Sequence, residues 1–197
     1  MMAKTQQEIP LEFMATLEAE HRLIVAVLGA FEAFLSRAAT HPEIDHHELT
    51  RFLLFFVEFA EGWHHAKEEA ILLPIMTRHG YANTSGVLRH VRDQHQRERS
   101  LLSRLKRVTA EKRRWDVEQT RSVIEAGQEF VSFEAHHIEK ESELLYPAIR
   151  RDLEPRDAKD IAVDLFRFGH AHATQGDLSW LERLGAELVS DHPPTDS

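Results

Sequence analysis

The chain has 197 residues, 42% of them hydrophobic and 29% charged, with 8 Gly, 7 Pro and no cysteine. That is enough apolar material for one domain with an appended element and too few turn formers for a β-rich fold, and it removes disulfides, thiolate chemistry, iron–sulfur ligation and haem thiolates. The formal net charge of −9 argues against nucleic acid as the main partner, because that binding rests on neutralising phosphate.

Apolar residues at three- and four-residue steps predict a first helix over about residues 10–39, with Leu17, His21, Ile24, Leu28, Phe31 and Leu35 on one face. A second helix is predicted over 45–78. Asp45 and Glu48 resemble a capping box at its start, its inner face is Leu53, Val57, Ala60, His64, Glu68, Ile71 and Ile75, and Pro74 stands where it would kink or end. A loop with two glycines over 80–86 leads to a third helix, about 87–112, whose inner face reads Leu88, Val91, His95, Glu98, Leu102 and Leu105. The basic residues Lys106, Arg107, Lys112, Arg113 and Arg114 are read as its solvated end. The fourth helix runs from about 116 to 150 with Val123, Phe130, Phe133, His137, Glu141, Leu144 and Ala148 inward. Long helices joined by short connections make an all-α four-helix bundle over 1–154, one added C-terminal helix packed on it over 155–190, and a flexible tail over 191–197.

The N-terminal segment lacks the apolar run of a secretory signal. The longest apolar stretch, residues 52–60 interrupted by Glu58, is far short of the roughly 20 residues of a membrane span. A cytoplasmic protein with no membrane partner is expected.

Histidine is the outlier of the composition, with 14 copies. Two segments echo each other: HHAKEEAILLP from His64 to Pro74, and HIEKESELLYP from His137 to Pro147. In each, Lys-Glu follows three residues after the histidine, then an apolar cluster, then proline at the same offset. Residues four apart on a helix point about 40° apart and lie about 6 Å apart along the axis, so each His-Glu pair shares one face. That face is apolar, where an uncompensated carboxylate would cost several kcal/mol. A pair of metal ions supplies the compensating charge. His21 and His95 occupy inward positions on the other two helices. The candidate ligands are therefore His21, His64, Glu68, His95, His137 and Glu141. Imidazole with carboxylate suits iron, manganese or zinc, and two carboxylates on facing helices are able to bridge two metals.

With LEAEHRLI before them and RDQHQRER between them, the segments WHHAKEEAILLP and HHIEKESELLYP resemble the hemerythrin HHE cation-binding family over about residues 11–150. The resemblance implies an antiparallel up-down bundle around two non-haem irons with an oxo or hydroxo bridge, binding oxygen, nitric oxide or peroxide. It places terminal histidines on His21, His64, His95 and His137 and bridging carboxylates on Glu68 and Glu141. Oxygen carriers of this family have a second histidine four residues from the one on the third helix. Here those positions hold Val91 and Arg99, and His90 is turned about 140° away. This departure points to a more open iron and to sensing or scavenging over carriage. His170 and His172 are the favoured substitutes. His65 and His136 are expected beside a ligand, facing solvent or a helix boundary, and His41, His46, His47, His79 and His192 at the surface. The alternatives are an enzyme acting on peroxide or as an oxidase, with Tyr146 and Glu98 as acid/base candidates, or an iron or zinc store. The oligomeric state, including a homodimer, is left open.

Overall fold

The computed structural model describes residues 8–40, 45–110, 115–172 and 178–193, and these form six helices with no strand. They are α1 (Glu8–Thr40), α2 (46–78), α3 (Gly86–Thr109), α4 (117–152), α5 (Asp157–Ala171) and α6 (Ser179–Asp191). The expected all-α bundle is what the chain forms. Its caps follow the sequence. Asp45 accepts from the backbone of His47 and Glu48 at the start of α2, while the Glu48 side chain turns to Arg51 at 2.7 Å. The reciprocal capping box lies at the start of α4, between Asp116 and Gln119.

All six positions assigned to the inner face of α1 are buried. Residues 10–40 also form a stretch long and apolar enough, by length and composition, to cross a membrane, longer than the run at 52–60. Half of its most apolar window is buried within the protein, against α4 and α6.

Pro74 does not end α2. The chain continues through it by widening to i→i+5 turns over Glu68–Leu72, and α4 does the same over Glu141–Leu145 before Pro147. A proline ring collides with the carbonyl four residues earlier and offers no N–H, and one wide turn relieves both problems. The residue before each proline accordingly donates five residues back, Leu73 to Glu68 and Tyr146 to Glu141. The extra residue shifts the register. Leu144, expected inward, is 64% exposed, whereas Leu145 and Tyr146 are buried. A longer wide-turn stretch, Phe56–His65, similarly turns Phe55, Phe56 and Phe59 inward and leaves Leu53 and Val57 half-buried. Gly62 lies in this stretch, and a Cβ there would stand 3.1 Å from the Val57 carbonyl.

The single added helix expected over 155–190 is instead two, α5 and α6, the first against α1 and α2 and the second across α1 and α2. α6 comes close because Gly185 has no side chain. A Cβ there would meet Phe55 at 2.7 Å and Leu23 at 3.1 Å. Asp191 ends α6, and the half-buried His192 ring lies edge-on to Phe34 with centroids 5.4 Å apart. The flexible tail expected over 191–197 otherwise falls, like His41, Lys112, Arg113 and Arg114, outside the described residues.

Two apolar clusters fill the interior. One runs from Ile24 through Phe31, Phe52, Phe56 and Phe130 to Leu188, the other from Phe13 and Leu17 through Ile71 and Met76 to Ile149. His21 lies in sequence between Leu17 and Ile24, and its polar layer separates the clusters. Phe31 touches Phe34, Phe52 and Phe56 with ring centroids 4.9–6.2 Å apart. Phe31→Ala is expected to cost about 3–5 kcal/mol through the cavity it leaves, read as a lowered midpoint of urea unfolding with an unchanged slope.

Candidate metal centre

The six candidates from the sequence come together in that layer, every one of them buried. α1 provides His21, α2 His64 and Glu68, α3 His95, and α4 His137 and Glu141. They fall into two groups, each with ligand atoms within 4.8 Å of one another: His21, His64, Glu68 and Glu141 in one, His95 and His137 with His65 in the other. The two carboxylates reach both groups. Glu68 has Oε1 4.0 Å from His64 Nε2 and Oε2 3.3 Å from His95 Nε2. Glu141 has Oε2 3.3 Å from His21 Nε2 and Oε1 3.5 Å from His137 Nε2.

The outer nitrogens are held from behind. Nδ1 of His21 meets Ser142 Oγ at 2.9 Å, that of His64 meets Glu20 Oε2 at 2.9 Å, that of His95 meets Glu69 Oε1 at 2.9 Å and that of His137 meets Gln94 Oε1 at 3.1 Å. A buried imidazole held by such an acceptor carries its proton on Nδ1 and presents the Nε2 lone pair. These supports are themselves anchored: Glu20 takes hydrogen bonds from Lys67 and from Trp63 Nε1, and Glu69 one from Arg99 at 3.0 Å. The inward atoms, by contrast, have no hydrogen-bond partner: Nε2 of His64, His95 and His137, Oε2 of Glu68 and both oxygens of Glu141. Buried polar atoms are satisfied in native proteins by protein, water or an ion, and a convergent set of lone pairs with no donor among them fits a cation.

His65 corrects the sequence reading. It is fully buried, its ring stacked on His95 with centroids 4.2 Å apart, and it joins the His95–His137 group. The wide turns of Phe56–His65 reduce the rotation per residue, which brings two consecutive histidines closer to one inward direction than the roughly 100° steps of an α-helix do. The favoured substitutes are elsewhere: His170 is exposed, and His172 stacks on Phe168 at 4.0 Å and bonds its carbonyl. His90 and His136 are exposed, as is His47. His46, His79 and His192 are half-buried rather than on the surface, against Trp115, Asp157 and Glu48 respectively.

Tyr146 stands inside the site. Its hydroxyl donates to Glu68 Oε1 and lies 3.1 Å from His21 Nε2, with the ring stacked on His21 at 4.7 Å. Burial, then the charges of Glu68 and Glu141, push its hydroxyl well above the usual tyrosine value, so it stays protonated.

Burial lowers the pKa of His21 to about 3, with help from His64, and that of His137 to about 2, with help from His65. Both rings are neutral and ready for a metal. Below the unfolded value of about 6.5 the unfolded chain binds protons that these two rings refuse. These two rings thus each take about 1.4 kcal/mol per pH unit from the metal-free protein as pH falls from about 6.5 toward 3, while Glu134 and Glu141, whose carboxyls burial pushes well above the usual range, act in the opposite sense. His65 runs the other way. Burial opposes its proton, but Glu98 and Glu134 outweigh it and raise its pKa well above 6.5, so its contribution is complete at low pH and lost on the alkaline side. Urea midpoints of the apoprotein and of its His137→Gln variant between pH 7 and 4 test this, and the same pH slope in both would contradict it.

A family model, the hemerythrin HHE cation-binding domain, matches residues 13–149 and again 86–173. The chain belongs to that family. The second match begins at α3, as the internal echo between the α1–α2 and α3–α4 pairs would produce. No curated protein and no solved structure was found to match. Membership in a cation-binding family, together with the clustered histidines and glutamates, supports metal binding by this chain, with iron the expected metal.

Proposed function

We propose that this hemerythrin-type chain holds two non-haem irons, one at His21 and His64 and the other at His65, His95 and His137, with Glu68 and Glu141 shared between them. The observation that carries the reading is the split of each carboxylate, one oxygen toward each histidine group, with every facing atom unpartnered except Glu68 Oε1 and His21 Nε2, which meet the Tyr146 hydroxyl. Manganese or zinc would also suit these donors. Two irons would supply a redox-active pair open to oxygen, nitric oxide or peroxide.

The protein's own groups define what reaches the centre. A cleft of about 420 Å³ between α1 and α4 has His21 and Ser142 among its walls, so small molecules have a short way in. The apolar clusters on either side exclude bulk water. The Tyr146 hydroxyl is the buried proton donor beside His21 and Glu68. His65 makes good the missing histidine of the third helix, which removes the reason for expecting one iron to be short of a ligand. Tyr146 is then what favours sensing or scavenging over plain carriage, because it places a proton donor where a bound ligand would be held. It also supports a second reading, peroxide breakdown.

Metal analysis and the optical spectrum of the reduced protein mixed separately with oxygen, nitric oxide and peroxide test this. About two irons per chain and changed bands with at least one ligand are expected. Bands unchanged by all three would leave a structural or storage metal as the better account. In Tyr146→Phe the centre is expected to load normally but to respond differently to peroxide.

A further inference from the structure

Beside the two histidine groups lies a second set of buried acids, with His65 among them and Arg99 at their edge. Glu98 on α3 and Glu134 on α4 are fully buried, and all four of their carboxylate oxygens lack a hydrogen-bond partner. Glu61 on α2 is at their edge, with Oε2 also unpartnered and its other oxygen held by Arg99 at 2.5 Å. His65 stands among the three. Its Nδ1 is 2.6 Å from Glu98 Oε2 and 3.5 Å from Glu61 Oε2, and its Nε2 is 3.6 Å from Glu134 Oε1. The close approach to Glu98 is not aligned as a hydrogen bond, since both ring nitrogens remain without a partner. Glu61, His65 and Glu98 bring one donor atom each within 4.8 Å of the others.

A proton on His65 would balance one of the three acids at most, and it is given up if the ring binds an ion; two other compensations fail for this set. Arg99, the cation on this side, is already divided between Glu61 and Glu69. Shared protons would join the carboxylates to one another by hydrogen bonds, and the unpartnered oxygens show none. Glu61 and Glu98 around one face of His65, with Glu134 at its other nitrogen and five carboxylate oxygens left unpartnered, therefore match the oxygen-rich shell of a divalent cation. The sequence carries a trace of this arrangement. Glu61 precedes His64 by three residues and Glu134 precedes His137 by three, so the internal echo begins one turn earlier than the histidines.

We propose that Glu61, Glu98 and Glu134, with His65 as the shared wall, form a third cation position next to the two-metal centre, taking a divalent ion such as manganese or ferrous iron. The proposal goes beyond the two-metal reading, which it rests on only for the identity of its neighbour. Its test is anomalous diffraction from crystals of the full chain loaded with manganese, together with metal content in solution. Three peaks are expected, one of them among Glu61, Glu98 and Glu134, with about three ions per chain. Glu134→Gln and Glu98→Gln, which keep the side-chain volume, are expected to lower the content from three to two and to erase that peak alone. Two peaks at the histidine groups and none at the acids overturn the proposal, as does metal content unchanged by Glu134→Gln. A peak at the acids with none at His21, His64, His95 and His137 would instead sink the two-metal reading and leave this one standing.

Discussion

His64→Ala and His137→Ala are each expected to strip most of the metal from the purified protein, while His136→Ala and His46→Ala leave it loaded. Both target rings are fully buried, with an unpartnered Nε2 toward the centre and an Nδ1 fixed by Glu20 or Gln94. Loss of a supporting partner alone typically weakens metal binding about 10- to 100-fold, and loss of the ligand itself should exceed that. The controls are close comparisons. His136 adjoins His137 in sequence but points outward to Glu139 at 3.4 Å, and His46 packs on Trp115. Metal content by elemental analysis decides the matter, and equal retention in all four variants would remove these residues from the centre.

Removing the metal is expected to lower the melting temperature by roughly 10 °C. An ion that binds only the folded state stabilises it by mass action, about 4 kcal/mol at a thousandfold excess over its dissociation constant. For a chain of this size each kcal/mol moves the midpoint by about 2–4 °C. The ion would also lift a specific strain. Glu68 and Glu141 sit in a dry layer where burial, followed by the charge of Glu68, pushes the Glu141 carboxyl well above the usual carboxylate range. A cation between the carboxylates offsets that repulsion. The apoprotein is expected to stay helical, because the two apolar clusters do not depend on the ion. Thermal melts before and after chelation, followed by circular dichroism, check both parts. An unchanged midpoint would mean that the site does not couple to the fold.

A bundle that lost metal in His64→Ala but kept its midpoint would have a working site that adds little stability.

Much of this was open to a reader of the sequence. His64 with Glu68 and His137 with Glu141 were legible because both pairs have four-residue spacing on an apolar face, and a charged group on such a face needs a partner. His21 and His95 followed because each interrupts an otherwise apolar seam. The inner faces of α1 and α3 were also read correctly, from Leu17 to Leu35 and from Leu88 to Leu105. These helices are regular, so the 3.6-residue period holds along their length.

Where the backbone leaves that period, sequence reading failed. The wide turns ahead of Pro74 and Pro147 and through Phe56–His65 shift the register, so Leu144 is exposed and His65 joins the metal layer, while Tyr146, named from the sequence as an acid/base candidate, is turned into the site. The two prolines hinted at an irregularity, but not that the helix would widen instead of stopping. The split of the added segment into α5 and α6 was likewise decided by packing, with Gly185 set against Phe55 and Leu23. The acid set at Glu61, Glu98 and Glu134 belongs to three different helices. Its members are ordinary glutamates one at a time, and only the packing of α2, α3 and α4 brings their charges into one dry place. The sequence thus determined which residues of the regular helices share a buried face, because burial on a regular face is a local property. The tertiary structure decided how many of them meet and around what, because that depends on where neighbouring helices lie and on turns that a fixed period does not describe.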